Sequence, residues 1–388
     1  MKAIVFFSSS TAAILFSSVL FLAGCAGVSS VSSSAPPAAP APPTGGGSSA
    51  HGTFVYVRND NNGSNSGRSI SGFRMNLDGT LSALQGSPFA ISGNLAVSGN
   101  FLLVSTDESV TSYRIDPSSG ALTRAQTAAA AGSSALTADA IAADSKNVYV
   151  GGQLASGTNV IYAFSIDANG SFAAISGSPF FFNSSCPCES AISIGVQNST
   201  LFASGIGFKA GLLAFYNIQD GALANMQALI TDSVENLAVH PGGRVAYAVN
   251  LAGSIEGFTI GANGMLGQGS TTSDDSSGGF EAVAIDPTGK FLAAIDTTST
   301  DSRIAVFSIN PLTGSLTELG APLSTGEPGG KSIAFDPGGR FVLITHGNEP
   351  PSPNDVMVFS FDPASATVMK IRSAQTGKSP GSVVIATF

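Results

Sequence analysis

The chain has 388 residues but only three cysteines and three histidines, and just 11 % of it is charged. No Lys/Arg cluster occurs anywhere, and the net charge is −9, so nucleic acid is excluded as an expected partner. No phosphate-cradling glycine loop, zinc-ligand spacing or serine nucleophile elbow is present, so neither a cofactor nor a metal is expected. Asn59-Asp60-Asn61-Asn62-Gly63 has the start of a calcium loop but lacks its closing bidentate Glu, and reads as a polar loop. Beyond Cys25, cysteine is confined to Cys186-Pro187-Cys188. In an oxidising compartment Cys186 and Cys188 could bridge each other as a loop staple, or stay as free thiols. Long helical patterning is scarce as well. Together with 46 glycines and many Pro/Gly turns, that scarcity favours an all-β chain. With so few charges, solubility must rest partly on Ser, Thr and Asn.

Residues 1–24 read as a leader. Lys2 is its only charge, an apolar run with interspersed serines follows, and the end is Leu22-Ala23-Gly24-Cys25. A charged start, an apolar core and small residues before a cleavage point describe an export signal. The run is also long enough to span a bilayer as an uncleaved anchor. The Leu-Ala-Gly-Cys ending resembles the bacterial lipoprotein box, which implies cleavage before Cys25 and lipid on its thiol. Ala26 follows rather than Asp, so no inner-membrane retention signal is seen, and in a source with two membranes the outer one is expected. Residues 25–50 are Ser, Ala, Pro and Gly almost throughout and cannot bury enough surface to fold, so they read as a tether. The folded domain is expected over 51–388.

That domain is a repeat. In the stretch 280–320 four short strands are legible, at 282–286, 291–295, 303–309 and 315–319, separated by Asp286-Pro287-Thr288-Gly289 and Asn310-Pro311-Leu312-Thr313-Gly314. One such sheet cannot bury both of its faces and needs copies on either side. Aligning the copies on the end of their first strand gives Ser98, Asp144, Gln197, His240, Asp286, Asp336 and Thr387, at spacings of 46, 53, 43, 46, 50 and 51. A period of 40–50 with several strands per copy marks a β-propeller. An aromatic precedes a glycine by six or seven residues in six copies: Phe73/Gly79, Tyr113/Gly120, Phe164/Gly170, Phe215/Gly221, Phe258/Gly264 and Phe307/Gly314. In the seventh, Phe359 is followed by Ala366. The aromatic is expected between neighbouring sheets and the glycine in the turn to the outer strand. Gly-Ser-Pro-Phe at Gly86 and Gly177 is expected to mark exits from outer strands. The domain opens at 53–58 on a second strand and stops at 381–388 on a first, so the C-terminal strand should complete the first blade. The expectation is a monomeric, all-β, seven-bladed propeller of four-stranded blades.

The combination of Asp-Pro-x-Gly after a first strand, Phe-Leu-Ala-Ala-Ile, and Val-Phe-Ser-Ile-Asn-Pro-Leu-Thr-Gly-Ser-Leu resembles the lactonase family of seven-bladed propellers. That family includes 6-phosphogluconolactonase and the carboxy-muconate cycloisomerases, and the pattern also resembles related exported proteins with Tyr-Val-Thr-Asn repeats. The resemblance implies lactone hydrolysis as one activity. Catalytic members resemble one another in a His five residues before the Asp of Asp-Pro, whereas here that position holds Gly93, Asp139, Ile192, Glu235, Glu281, Lys331 and Ser382. Their Asp-Leu-Gly-x-Asp-Arg segment is matched loosely by Asp296, Asp301 and Arg303.

First strands line a propeller's channel, so Asp139, Glu235, Glu281 and Lys331 are expected to face one another there. They would serve either as a solvated lining or as an acid/base set. His346, at the end of a second strand, is the histidine best placed for a general base, with Arg303 and Asp296 beside the same mouth. His240 is expected in a turn and His51 at the tether junction. The leading expectation is a lipid-anchored envelope module that binds a small molecule or an envelope protein. A lactone hydrolase and a structural part of an envelope assembly are the alternatives. Cys25→Ser should move the protein from the detergent phase to the aqueous phase in Triton X-114 partitioning, and a variant held as firmly as wild type would exclude the lipoprotein reading.

Overall fold

The computed structural model describes residues 52–61, 67–129, 137–154, 156, 158–181, 188–207, 211–231, 234–261, 265–272, 278–347 and 354–388. The leader, the tether, Cys25, His51, Cys186 and the glycine end of the Asn59–Gly63 loop lie outside these residues. Seven antiparallel sheets follow one another in a ring, each running from an inner strand outward to a peripheral one. The inner strands are Pro380–Thr387, Asn94–Ser98, Thr137–Ala143, Cys188–Gln197, Val234–Val239, Gly279–Ile285 and Gly330–Phe335 in blades 1 to 7. Blade 1 is composite: Thr53–Asn59 pairs on one side with Ser69–Met75 and on the other with Pro380–Thr387, in the register Thr53↔Thr387, Val55↔Ile385 and Val57↔Val383.

Alternation explains the strands, and packing between blades explains the fold. A second strand such as Phe341–His346 is apolar on both faces because each face meets a different neighbour. The core is accordingly not central. It is seven separate apolar layers, one between each pair of adjacent blades. Phe73, Phe164, Phe215, Phe258, Phe307 and Phe359 of the third strands are all buried in these layers. The glycines that follow them do more than turn the chain. Gly120 in blade 2 has φ +72°, and a Cβ there would lie 2.4 Å from the Phe54 ring of blade 1. Its carbonyl accepts the Tyr56 hydroxyl at 2.7 Å. Tyr149 and Tyr247 tie blades 3 and 5 to Gly221 and Gly314 of the next blade in the same way, and burial pushes all three phenols well above the usual tyrosine range. The residue is therefore small so that the next blade can approach, which the sequence pattern attributed to the turn alone.

The two Gly-Ser-Pro-Phe segments interrupt outer strands rather than end them. Phe172–Ala174 and Phe180–Phe181 both pair with Asn159–Ile166, and between them Ser178 Oγ accepts the Ala163 N–H at 2.9 Å. Ser87 does the same for Gly72, after which Phe89 bridges Ile70. A serine hydroxyl thus satisfies the amide that the broken ladder leaves over.

At one end of the ring, the turns from first to second strand are held by their leading side chain. Asp286 accepts from the amides of Thr288 and Phe291, and Asp336 from those of Gly338, Arg340 and Phe341. His240 is the histidine version. Its Nδ1 accepts the Gly242 N–H at 2.9 Å, which leaves Nε2–H to donate to the Gly289 carbonyl of the next blade at 2.9 Å. Thr53 enters the ring at this turn end. Removing 380–388 would uncover the Thr53–Asn59 edge and strip Val383 and Ala386, 6 % and 2 % exposed, from the layers beside blade 1. Val383 alone is worth roughly 1.5–3 kcal/mol, before the unpaired ladder is counted. The truncated chain should aggregate, or melt well below the full chain in a thermal scan. A soluble truncation with unchanged melting would contradict closure by this strand.

Candidate functional site

The opposite end of the ring is where second strands finish and first strands begin. Here the ladders between these strands are irregular. In blades 3, 5, 6 and 7 the register skips one inner-strand residue, and those residues are Asp139, Glu235, Glu281 and Lys331. In blade 4, Ile192 falls in the same kind of skip, and in blade 1 Gly381 and Ser382 together oppose Arg58. Six of the seven positions picked out by their spacing from the turn, all but Gly93, therefore fall at β-bulges, which leave a residue unpaired in the ladder. The bulge also breaks the period of two. This is why the sequence pattern starts the blade 6 strand at 282, whereas the strand is Gly279–Ile285.

A cavity of about 400 Å³ opens among these bulges. Among the described residues, its wall carries two cations, Arg58 and Lys331, and one carboxylate, Asp60. The residues that follow the bulges add Asn236, Ser193 and Ser332, and Asn94 lies at the same step of blade 2. Leu95, Ile141 and Ile194 supply apolar surface. Asn236 Oδ1 also accepts the Val283 N–H of the next inner strand at 3.0 Å, so its amide is held in place by the neighbouring blade. Arg58 donates to Asn94 Oδ1 and, at 2.9 Å, to Asp60 Oδ2. Both charged side chains remain a little over a quarter exposed, at 27 % and 28 %. Lys331 Nζ lies 2.5 Å from Glu281 Oε1. Of the four expected channel charges, the structure brings Glu281 and Lys331 into contact. For Asp139 and Glu235 it describes the backbone bulge, and their side chains lie outside the described residues, as does that of Cys188 at the start of its strand.

None of the residues expected to do chemistry, His346, Arg303 and Asp296, is among those lining the cavity. Asn59, Asn250, Asp296 and His346 each stand five residues after the start of the blade's apolar second-strand run, and all four are buried. Each meets a partner at the start of the third strand. Asn59 donates to Ser69 and Ser71 at 3.0 Å, and Asn250 donates to Glu256 at 2.7 Å. Asp296 pairs with Arg303. His346 Nδ1 lies 3.3 Å from Asp355 Oδ1. Glu256, only 3 % exposed, is further held by Thr231 at 2.6 Å and Gln268 at 3.0 Å. The first three pairs are polar clasps between strands inside the blade layers, whereas His346 and Asp355 Oδ1 face each other without a hydrogen bond. His346 has no exposed surface and is not among the cavity's lining residues, so it is not placed to direct a solvent water there. Arg303 is spoken for by a carboxylate that is 1 % exposed.

Arg58, Asp60, Asn94 and Asn236 were not singled out from the sequence as site residues. The available signal was Arg58 at the end of an otherwise apolar strand, Val55-Tyr56-Val57-Arg58. Pairing with the C-terminal strand puts that end at the mouth.

With this geometry in hand, likeness to known proteins can be placed. Residues 235–385 match the model of the lactonase family, described as a seven-bladed β-propeller. A 6-phosphogluconolactonase of Formosa agariphila is 25 % identical over 187 residues, 45 % of this chain and 51 % of that protein, so the match spans about half the length of this relative. Among solved structures, a putative 6-phosphogluconolactonase from Bacteroides fragilis superposes with a TM-score of 0.68 at 18 % identity, covering 88 % of this chain and all of that one. A periplasmic gluconolactonase from Pseudomonas aeruginosa superposes at 0.65 with 22 % identity, covering 86 % of this chain and 98 % of that one. At these identities the solved structures speak for the fold.

The clasps and the cavity separate experimentally. Arg303→Ala would leave the Asp296 carboxylate buried beside an empty space, at a cost of about 3 kcal/mol. Urea unfolding should show that loss. A variant with unchanged stability would mean that the pair is not structural.

Proposed function

We propose that this lactonase-family propeller is a binding module for a small hydroxylated carboxylate, such as a sugar acid, carried at the cell envelope on a lipid-modified Cys25. The observation that carries the reading is the mouth cavity. Two cations, two carboxamides and several hydroxyls converge on about 400 Å³, bounded by strands of six blades. That volume falls at the small end of ligand pockets. Guanidinium and ammonium groups recognise a carboxylate, the first as a planar fork and the second as a point charge. Asn and Ser side chains both donate and accept, which suits hydroxyl groups.

The envelope part rests on the leader, the Leu22–Cys25 ending and the tether. The chain enters the ring at Thr53, on the turn end, and the cavity opens at the other. A ring attached through its N-terminus can therefore keep its mouth accessible.

Lactone hydrolysis is the second reading, favoured by the family match and by the named activity of its relatives. It would need a group to direct water. Among the described residues lining the cavity there is no histidine, and Asp60, the carboxylate present, is engaged by Arg58. This is why binding without turnover is preferred.

Titration of the full-length chain with gluconate and 6-phosphogluconate should show binding, and Arg58→Met should weaken it at least ~10-fold, as expected for loss of charge-assisted hydrogen bonds. Glucono-δ-lactone should hydrolyse no faster than in buffer. Hydrolysis well above buffer that is lost in Arg58→Met and Asp60→Asn would establish the hydrolase instead. If neither binding nor hydrolysis is seen, the sugar-acid reading of the cavity is overturned.

A further inference from the structure

Both cations of the cavity carry a tethered carboxylate, but the two pairs are built differently. Asp60 stands two residues from Arg58, and both line the cavity. Glu281 comes from a different blade than Lys331 and is not among the lining residues, although its Oε1 lies 2.5 Å from Lys331 Nζ. Each partner is the bulged residue of its inner strand, in blades 6 and 7. A bulge frees the side chain from the alternation of the ladder. Here it lets two inner strands that do not hydrogen-bond to each other bring opposite charges together. The two side chains are 37 % and 32 % exposed. The pair is therefore weak enough to open in water, unlike the clasp of Arg303 on the buried Asp296.

We infer that Glu281 is an internal competitor for Lys331 and so sets which anions the cavity accepts. This inference rests on the reading of the cavity as a carboxylate site. While Glu281 holds Lys331, an incoming carboxylate must displace a carboxylate that is already tethered nearby at high effective concentration. A neutral ligand faces no such competition. The bulged pair thus discriminates against weak or singly placed anions, and it favours a ligand whose carboxylate engages Lys331 while its other groups engage Arg58, Asn94 and Asn236.

The test uses the full-length chain and two probes, gluconate as the anion and gluconamide as its neutral counterpart, titrated by calorimetry. Glu281→Gln keeps the side-chain shape and removes the charge, and Glu281→Ala removes the side chain as a second variant. Both should tighten gluconate about two- to fivefold, the range that a partly exposed ion pair is worth. They should leave the neutral probe unchanged, and adding Lys331→Met should erase the gain. A purely structural role for the pair would alter both probes together. Gluconate binding by wild type that is unchanged or weakened in both Glu281 variants overturns the competitor role and leaves the carboxylate site standing. Gluconate binding by the variants alone supports the competitor role in its strongest form. No gluconate binding by wild type or variants, checked for intact melting, overturns the site and the competitor together.

Discussion

Every blade of this ring has two apolar faces and can bury neither alone. That constraint governs the rest of the structure. It requires a neighbour on each side, it places the core in seven layers between blades, and it makes closure obligatory. The ends of the chain meet in blade 1 because a ring with an open seam would expose two apolar faces and two unpaired edges at once. The register Val55↔Ile385 and Val57↔Val383 is how that seam is joined.

Close approach of the blades then dictates smaller choices. Glycine is placed where a third-strand turn meets the neighbouring blade's aromatic, and tyrosine where its hydroxyl can reach that glycine's carbonyl. At the ends of the second strands the apolar layers run out, and polar residues take over as clasps: Asn59 with two serines, Asn250 with Glu256, Asp296 with Arg303. Buried polar groups of this kind hold the strand ends in one arrangement when satisfied and are costly when half-satisfied. They explain the presence of chemically suggestive residues without assigning them chemistry.

What is left for ligands is the rim of the channel. The cavity lies among the bulges at the start of the inner strands, where the regular repeat is broken. Among the described side chains the rim's charges come as pairs, Arg58 with Asp60 and Lys331 with Glu281. A propeller ring does not fix what it does, because a site depends on a few rim residues and not on the ring.

The fold was legible in the chain because its determinants are local and repeated. Turn residues at Asp286 and Asp336, aromatics followed by glycine, and a period near that of a propeller blade each report on one blade, and the incomplete first and last copies report on closure. The spacing from those turns also located Glu281 and Lys331. What the sequence could not decide was orientation at strand ends. At the strand end Arg58 lines the cavity while the next residue, Asn59, is buried, and His346 and Asp296 are buried as well. A bulge shifts the strand's alternation by one, and its position depends on how the inner strand meets its partner. The cavity likewise depends on six blades at once. The order of residues determined the ring, and only the three-dimensional packing of its inner strands decided which charges face the channel.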